Sequence, residues 1–230
     1  MATPQAGMNR FFVVVGVLAL AGVGALVYLS TRPKVSIPVN VEIAVSDTAG
    51  FSGYYLGSEK APVEITEYAD YQCPACGDFE TVQFPDVRSR LIETGKLRWR
   101  FRDFPLPMHK NARVAAHSAA CAADQGKFWE QHRAIFQGQT DWSQAGDAGK
   151  AFREYGKQNG LDLTAYDACM TAAKFAGRIQ ASVDEGIRVG IQATPSFVIG
   201  GRLYSGNQPY DRLKAMVDSL ANTVVAAPTP

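Results

Sequence analysis

The sequence predicts an α/β domain that is interrupted by an all-helical insertion and preceded by an N-terminal transmembrane helix. Three observations carry this reading. Phe11 to Leu29 holds no charge and is bracketed by Arg10 on one side and Arg32 and Lys34 on the other, long enough to cross a bilayer as a helix. A strand-like run, Val63 to Tyr68, leads into Cys73-Pro74-Ala75-Cys76 and a helix-like run bearing Phe79 and Val82. After a long helical stretch, strand-like residues return at Ser196-Phe197-Val198-Ile199, with Gly200-Gly201 as a hairpin turn into Arg202-Leu203-Tyr204. Strands separated by helices in this order form a layered α/β domain.

The elements follow in order. Residues 1–34 are the N-terminal tail and anchor. The apolar run continues past Ala19-Leu20-Ala21, a small-x-small site, so an uncleaved anchor is favoured over a cleaved signal peptide. Either implies export, and export places the cysteines in an oxidising compartment. Residues 35–50 form a linker with weak alternation at Val35–Ile37 and Val39–Ile43. Residues 51–107 are the first part of the α/β domain, with a kink expected near Phe84 because Pro85 follows it. In Leu97 to Arg102, three apolar residues face one way and three arginines the other. A net charge of +1 makes that arginine face a solvated or partly covered strand face rather than a nucleic-acid stripe.

Residues 108–190 read as the helical insertion. Its helices run over Asn111–Asp124 and Gly126–Gln137, then from caps at Asp147 and Asp162, and last over Ile179, Val183 and Ile187 as one apolar face. Residues 191–222 return to the α/β layer, ending in a helix with Leu213, Met216, Val217 and Leu220, and residues 223–230 are expected to be a disordered tail.

The chemistry concentrates at Cys73 and Cys76. A Cys-x-x-Cys where a strand meets a helix N-terminus sits among unpaired N–H groups and the positive end of the helix dipole. A thiolate there is stabilised, and its pKa falls. Pro74 suits the first helical position, having no N–H and a helical φ. Cys73 is the expected exposed thiolate and Cys76, one turn in, its buried partner. A structural zinc half-site is the competing use, but the four cysteines are this pair plus Cys121 and Cys169, without a second Cys-x-x-Cys. The three histidines, His109, His117 and His132, read as helix-surface or core residues rather than catalytic ones.

The residues at Ala61-Pro62-Val63 through Cys76, Asp103-Phe104-Pro105-Leu106-Pro107, Gly126-Lys127-Phe128-Trp129 and Thr194-Pro195-Ser196-Phe197 resemble the DsbA-type thioredoxin-fold disulfide oxidoreductases, and most of all the membrane-tethered bacterial members. The resemblance covers about Gly57 to Leu220. It implies a thioredoxin fold with a helical insertion, and a cis-proline turn at Thr194-Pro195 facing the cysteines. Thr194 would tune the thiolate and receive an extended substrate. The resemblance also implies a buried acid at Glu67 that takes the proton of Cys76, and, as in some relatives, a structural disulfide between Cys121 and Cys169. A bridge closing that loop would contribute up to ~4 kcal/mol. One departure stands out: Pro-Ala lies between the cysteines where the most oxidising relatives carry Pro-His.

The expected function is an extracytoplasmic protein thiol–disulfide oxidoreductase, an oxidase donating the Cys73–Cys76 disulfide to exported proteins. It would work as a monomer without cofactor or metal. The family implies reoxidation by a membrane partner, either a DsbB-type protein or a vitamin K epoxide reductase homologue. A reductase or isomerase, and a tethered chaperone or binding module with vestigial cysteines, are the alternatives.

Overall fold

The computed structural model describes residues 5–31 and 50–226, with side chains over 12–27 and 50–223. The chain divides into two units, Met1–Lys34 and Val35–Pro230. The first contains one helix, α1 (Gln5–Thr31). Among the described residues no helix is long and apolar enough to cross a membrane. The segment expected to span the membrane over Phe11–Leu29 is helical within α1, and its crossing of a membrane is not shown. The linker expected over 35–50 lies, Gly50 apart, outside the described residues.

Among its described residues the second unit is built on five strands: β1 (Tyr54–Leu56), β2 (Val63–Ala69), β3 (Leu97–Asp103), β4 (Ser196–Ile199) and β5 (Arg202–Ser205), in the order β1-β3-β2-β4-β5. β2 and β3 are parallel, with Glu67 opposite Phe101; the other pairs are antiparallel. A parallel pair needs a crossover. It is supplied by α2 (Pro74–Asp78), a π-turn (Phe79–Gln83), α3 (Phe84–Val87) and a second π-turn (Arg88–Ile92). Pro85 does not break this run. The wide turn before it, closed by Phe84 N–H donating to Phe79 O, absorbs the donor that proline lacks.

The insertion holds α4 (Ala112–Ala123), α5 (Phe128–Gln137), α6 (Gln139–Trp142), α7 (Gly149–Gln158), α8 (Leu163–Thr171) and α9 (Ala176–Arg188). Asp162 caps α8 as expected, its Oδ1 accepting from Thr164 N and Ala165 N. Asp147 does not cap α7; the cap position falls on Ala148, and Asp147 instead lies 3.9 Å from Lys150 Nζ. The apolar face expected on α9 ends early. Ile179 is buried but Ile187 is 61% exposed, and beyond Ile179 the buried positions belong to Ser182 and Gly186. A Cβ on Gly186 would stand 2.5 Å from the Phe104 ring, so only glycine lets α9 lie this close.

The chain closes with the β4–β5 hairpin, turned by Gly200 and Gly201 at φ 54° and 75°, and with α10 (Tyr210–Ala226). α10 continues through the start of the expected disordered tail, since Leu213 and Val217 are buried against the sheet and the next proline is Pro228. Residues 227–230 lie outside the described ones.

Two layers cover the sheet. On one face Ile65, Trp99 and Phe197 pack against Phe79, Phe84, Leu91 and Val217. On the other, Tyr68, Arg100 and Arg102 meet α9. Glu185 receives Arg102 Nη2 at 2.6 Å, Arg100 Nη1 at 2.9 Å and the Tyr68 hydroxyl at 2.6 Å. Arg100 and Arg102 are thus covered and share one counter-charge, with Arg102 only 1% exposed.

Candidate active site

Cys73 occupies the N-cap of α2 with extended backbone, φ −71° and ψ 121°, and Pro74 begins the helix. Both thiols of the Cys73–Cys76 pair are free. Cys76 is wholly buried and Cys73 only 7% exposed, so the expected exposed thiolate lies in a narrow opening rather than in solvent. The cover is Thr194, joined to Pro195 by a cis peptide bond. Cys73 Sγ lies 3.3 Å from Thr194 O, a contact in which only the protonated thiol can donate.

The two thiols differ sharply. The Cys73 pKa is lowered to about 5. The hydrogen bond from the Cys76 thiol contributes most, and Thr194 and the N–H groups of Cys76 and Ala75 add to it against burial. Burial and the neighbouring Cys73 push Cys76 well up. One sulfur is therefore a thiolate at neutral pH, a good leaving group and a nucleophile, while the other holds its proton.

Beneath them lies an acid pair. Glu67 points from β2 toward the cysteine helix and is wholly buried; its Oε2 accepts from Trp99 Nε1 at 3.2 Å. Glu80, one turn beyond Cys76, approaches it. Burial and the second carboxyl push Glu67 well up, and burial raises Glu80. At neutral pH the pair therefore holds protons in the interior. His132 of α5 completes the cluster. Its Nε2 lies 3.3 Å from Glu80 Oε1 and its Nδ1 2.8 Å from the Tyr71 hydroxyl. Burial lowers the His132 pKa to about 3, so this contact is between a neutral ring and the carboxyl. A cavity of about 390 Å³ leads from Glu80 and His132 past Phe84 and Trp129 to the exposed Ser89 and Arg133.

The insertion supplies one wall of the cysteine loop. Gln139 Nε2 donates to Tyr71 O at 2.7 Å and Cys73 O at 2.9 Å. Gln72 is held by Asn111 N and Ser143 O. Asp70 accepts from Gln72 N, Leu106 N and His109, each at 2.7 Å. Glu80 could have been found in the sequence as a carboxyl one helical turn after Cys76. Gln139 and His132 carry no local signal, because folding alone brings them to residues more than 50 positions away.

The remaining candidate residues sit apart from this centre. Cys121 of α4 and Cys169 of α8 are joined by a disulfide, S–S 2.01 Å. His117 stands near both sulfurs and contacts Cys169 O at 3.3 Å, but those sulfurs are already bonded to each other. His117 and His132 are core residues, and His109 is a partner of Asp70.

Comparison with known proteins agrees with this arrangement. The chain is 34% identical over 164 residues to a Na(+)/H(+) antiporter NhaA 3 of Salinispora tropica, covering 71% of this chain but 24% of the antiporter. The chain thus spans about a quarter of that relative's length. It is 26% identical over 183 residues to the disulfide bond formation protein D of Bacillus subtilis, covering 76% of this chain and 80% of that protein. The crystal structure of alpha-DsbA1 from Wolbachia pipientis superposes with a TM-score of 0.68 at 24% identity, over 76% of this chain and 93% of that one, and so shares the fold. The family model described as thioredoxin matches residues 51–219, from β1 through most of α10, with the cysteine pair and the cis-proline turn inside it, and the chain belongs to the thioredoxin family.

Proposed function

We propose that this protein is a thiol–disulfide oxidoreductase that donates the Cys73–Cys76 disulfide to cysteine-containing proteins outside the cytoplasm. The observation that carries the reading is the asymmetry of the pair: a low-pKa Cys73 under Thr194 beside a buried, high-pKa Cys76. A relative named for disulfide bond formation supports the direction.

In the oxidised enzyme a substrate thiolate attacks Cys73 Sγ, the S–S bond breaks, and its electron pair goes to Cys76. Cys76 then takes a proton from the Glu67–Glu80 pair. A second substrate thiolate attacks the substrate sulfur of the mixed disulfide, and Cys73 departs as a stabilised thiolate. Two substrate thiols are oxidised and the enzyme pair is reduced. Reoxidation runs the steps backward, with the acid pair accepting the Cys76 proton, and is assigned to a DsbB-type or vitamin K epoxide reductase-like membrane partner. The Thr194-Pro195 loop receives the substrate backbone. The uncharged run between Arg10 and Arg32 is assigned as the tether that keeps the domain at the membrane. The Cys121–Cys169 bridge is assigned a structural role.

The test is oxidation of a reduced, unfolded protein substrate by the isolated domain. Cys73→Ser should abolish turnover, and Cys76→Ser should accumulate the mixed disulfide. Full turnover by Cys73→Ser would remove the dithiol from the chemistry and leave a binding module.

A further inference from the structure

We propose that Gln139, supplied by the helical insertion, is a positioning residue for Cys73: its side-chain amide fixes the cysteine loop so that the first-turn N–H groups of α2 converge on the sulfur. The inference rests on the oxidoreductase reading and deepens it.

The geometry is specific. Gln139 lies 66 positions from Cys73 in sequence, yet its Nε2 donates to both Tyr71 O and Cys73 O. Two carbonyl acceptors on one side-chain end require the NH₂ there, so the orientation of the amide is fixed by its partners. Cys73 O already accepts from Cys76 N and Gly77 N at 3.1 Å each. Gln139 is thus a third donor, from outside the helix, on the peptide group next to the thiol. It sets the rotation of that peptide plane, and with it the direction of the Ala75 and Cys76 N–H groups that stabilise the thiolate.

The surroundings are shaped for this contact. Gly77 faces Gln139, and a Cβ there would stand 2.5 Å from Gln139 Oε1 and 2.9 Å from its Cδ. Gly138 turns the chain from α5 into α6 beneath the Tyr155 ring, where any side chain would collide with the hydroxyl. The absence of a side chain at Gly77 makes room for the glutamine, and its absence at Gly138 makes room for Tyr155 at the turn that precedes it. Gln72, pinned by Asn111 and Ser143, fixes the same loop from its other side. The insertion is therefore a structural part of the redox centre.

Two variants reach the amide by independent routes. Gln139→Leu removes it, and Gly77→Ala pushes it aside while keeping it in the chain. The readouts are the equilibrium with glutathione and the ultraviolet titration of the Cys73 thiolate, each beside a thermal melt. Both variants should shift the equilibrium threefold to tenfold toward the disulfide, roughly 15–30 mV, and move the thiolate titration upward. Gly77→Ala keeps its potential shift even where alanine strengthens the helix, which a stability role would not give. Wild-type equilibria and titrations in both variants, whatever happens to the melts, would overturn the proposal. An exchange-inactive wild-type domain would instead defeat the oxidoreductase reading on which it rests.

Discussion

Cys73 and Cys76 are the same residue type three positions apart, and local placement gives them opposite acid–base character. That difference was legible in the sequence, because the helix N-terminus and Pro74 are encoded within the motif itself. The depth of Cys73 was not, because its cover is Thr194, 121 positions away. Glu67 was legible only as an acid in an apolar strand; its coupling to Glu80 depends on the crossover run folding over β2. The pair also has a consequence for stability. Both carboxyls have folded pKa values raised by burial above their unfolded ones. A raised acid binds protons in the folded state that it has lost in the unfolded state, so its contribution falls as pH rises from the unfolded value through the folded one. For Glu80 that window runs from about 4.5 to about 8. His117 and His132, lowered to about 4 and about 3, act only below about 6.5. The oxidised protein, free of thiol titration at this site, should therefore lose stability between pH 6.5 and 8, on the order of 1–2 kcal/mol. Glu80→Gln should make that decline shallower in urea-melt series, leaving the part that Glu67 carries. An equally steep decline in the variant would mean that Glu80 is ionised throughout this range.

Among the elements, β3 shows how far periodicity reaches and where it stops. Its strict alternation gave the strand and its buried face of Leu97, Trp99 and Phe101 directly. The destination of its arginines was invisible, because Glu185 lies on α9, 83 residues after Arg102. α9 was itself misjudged by its apolar spacing. Its close approach to the sheet comes from Ser182 and Gly186, and the hydrophobic pattern underweights small residues. Glu185 now joins α9 to two strands through Arg100, Arg102 and Tyr68. Removing one partner of such a cluster leaves Arg102 buried without its counter-charge, which costs about 3–5 kcal/mol. Glu185→Ala should lower the denaturant midpoint accordingly while leaving the redox potential of the dithiol in place. A loss below about 1 kcal/mol, the range of an exposed pair, would show that α9 is held by its apolar contacts alone.

At the scale of the molecule, the strand and helix order was enough to give the α/β layer, its helical insertion and the return of the hairpin. What the insertion does for the dithiol was not readable, since Gln139, Asn111, Ser143 and His132 all reach the centre through tertiary packing. On the proposed reading these contacts favour the reduced form: a thiolate stabilised at Cys73, a proton reservoir at Glu67 and Glu80, and a loop held from two sides. The most direct test is the reduction potential of the Cys73–Cys76 pair as a function of pH, by equilibration with glutathione. With Cys73 ionising at about 5 and Cys76 far higher, one proton accompanies two electrons at neutral pH. The potential should then fall by about 30 mV per pH unit above pH 5 and by about 59 mV below it. Its value at pH 7 should lie toward the oxidising end of the thioredoxin-fold range, nearer about −120 mV than about −270 mV. A potential near the lower limit, with a slope of about 59 mV persisting through pH 7, would mean that Cys73 is an ordinary thiol and that the protein keeps its own disulfide, as a reductase does.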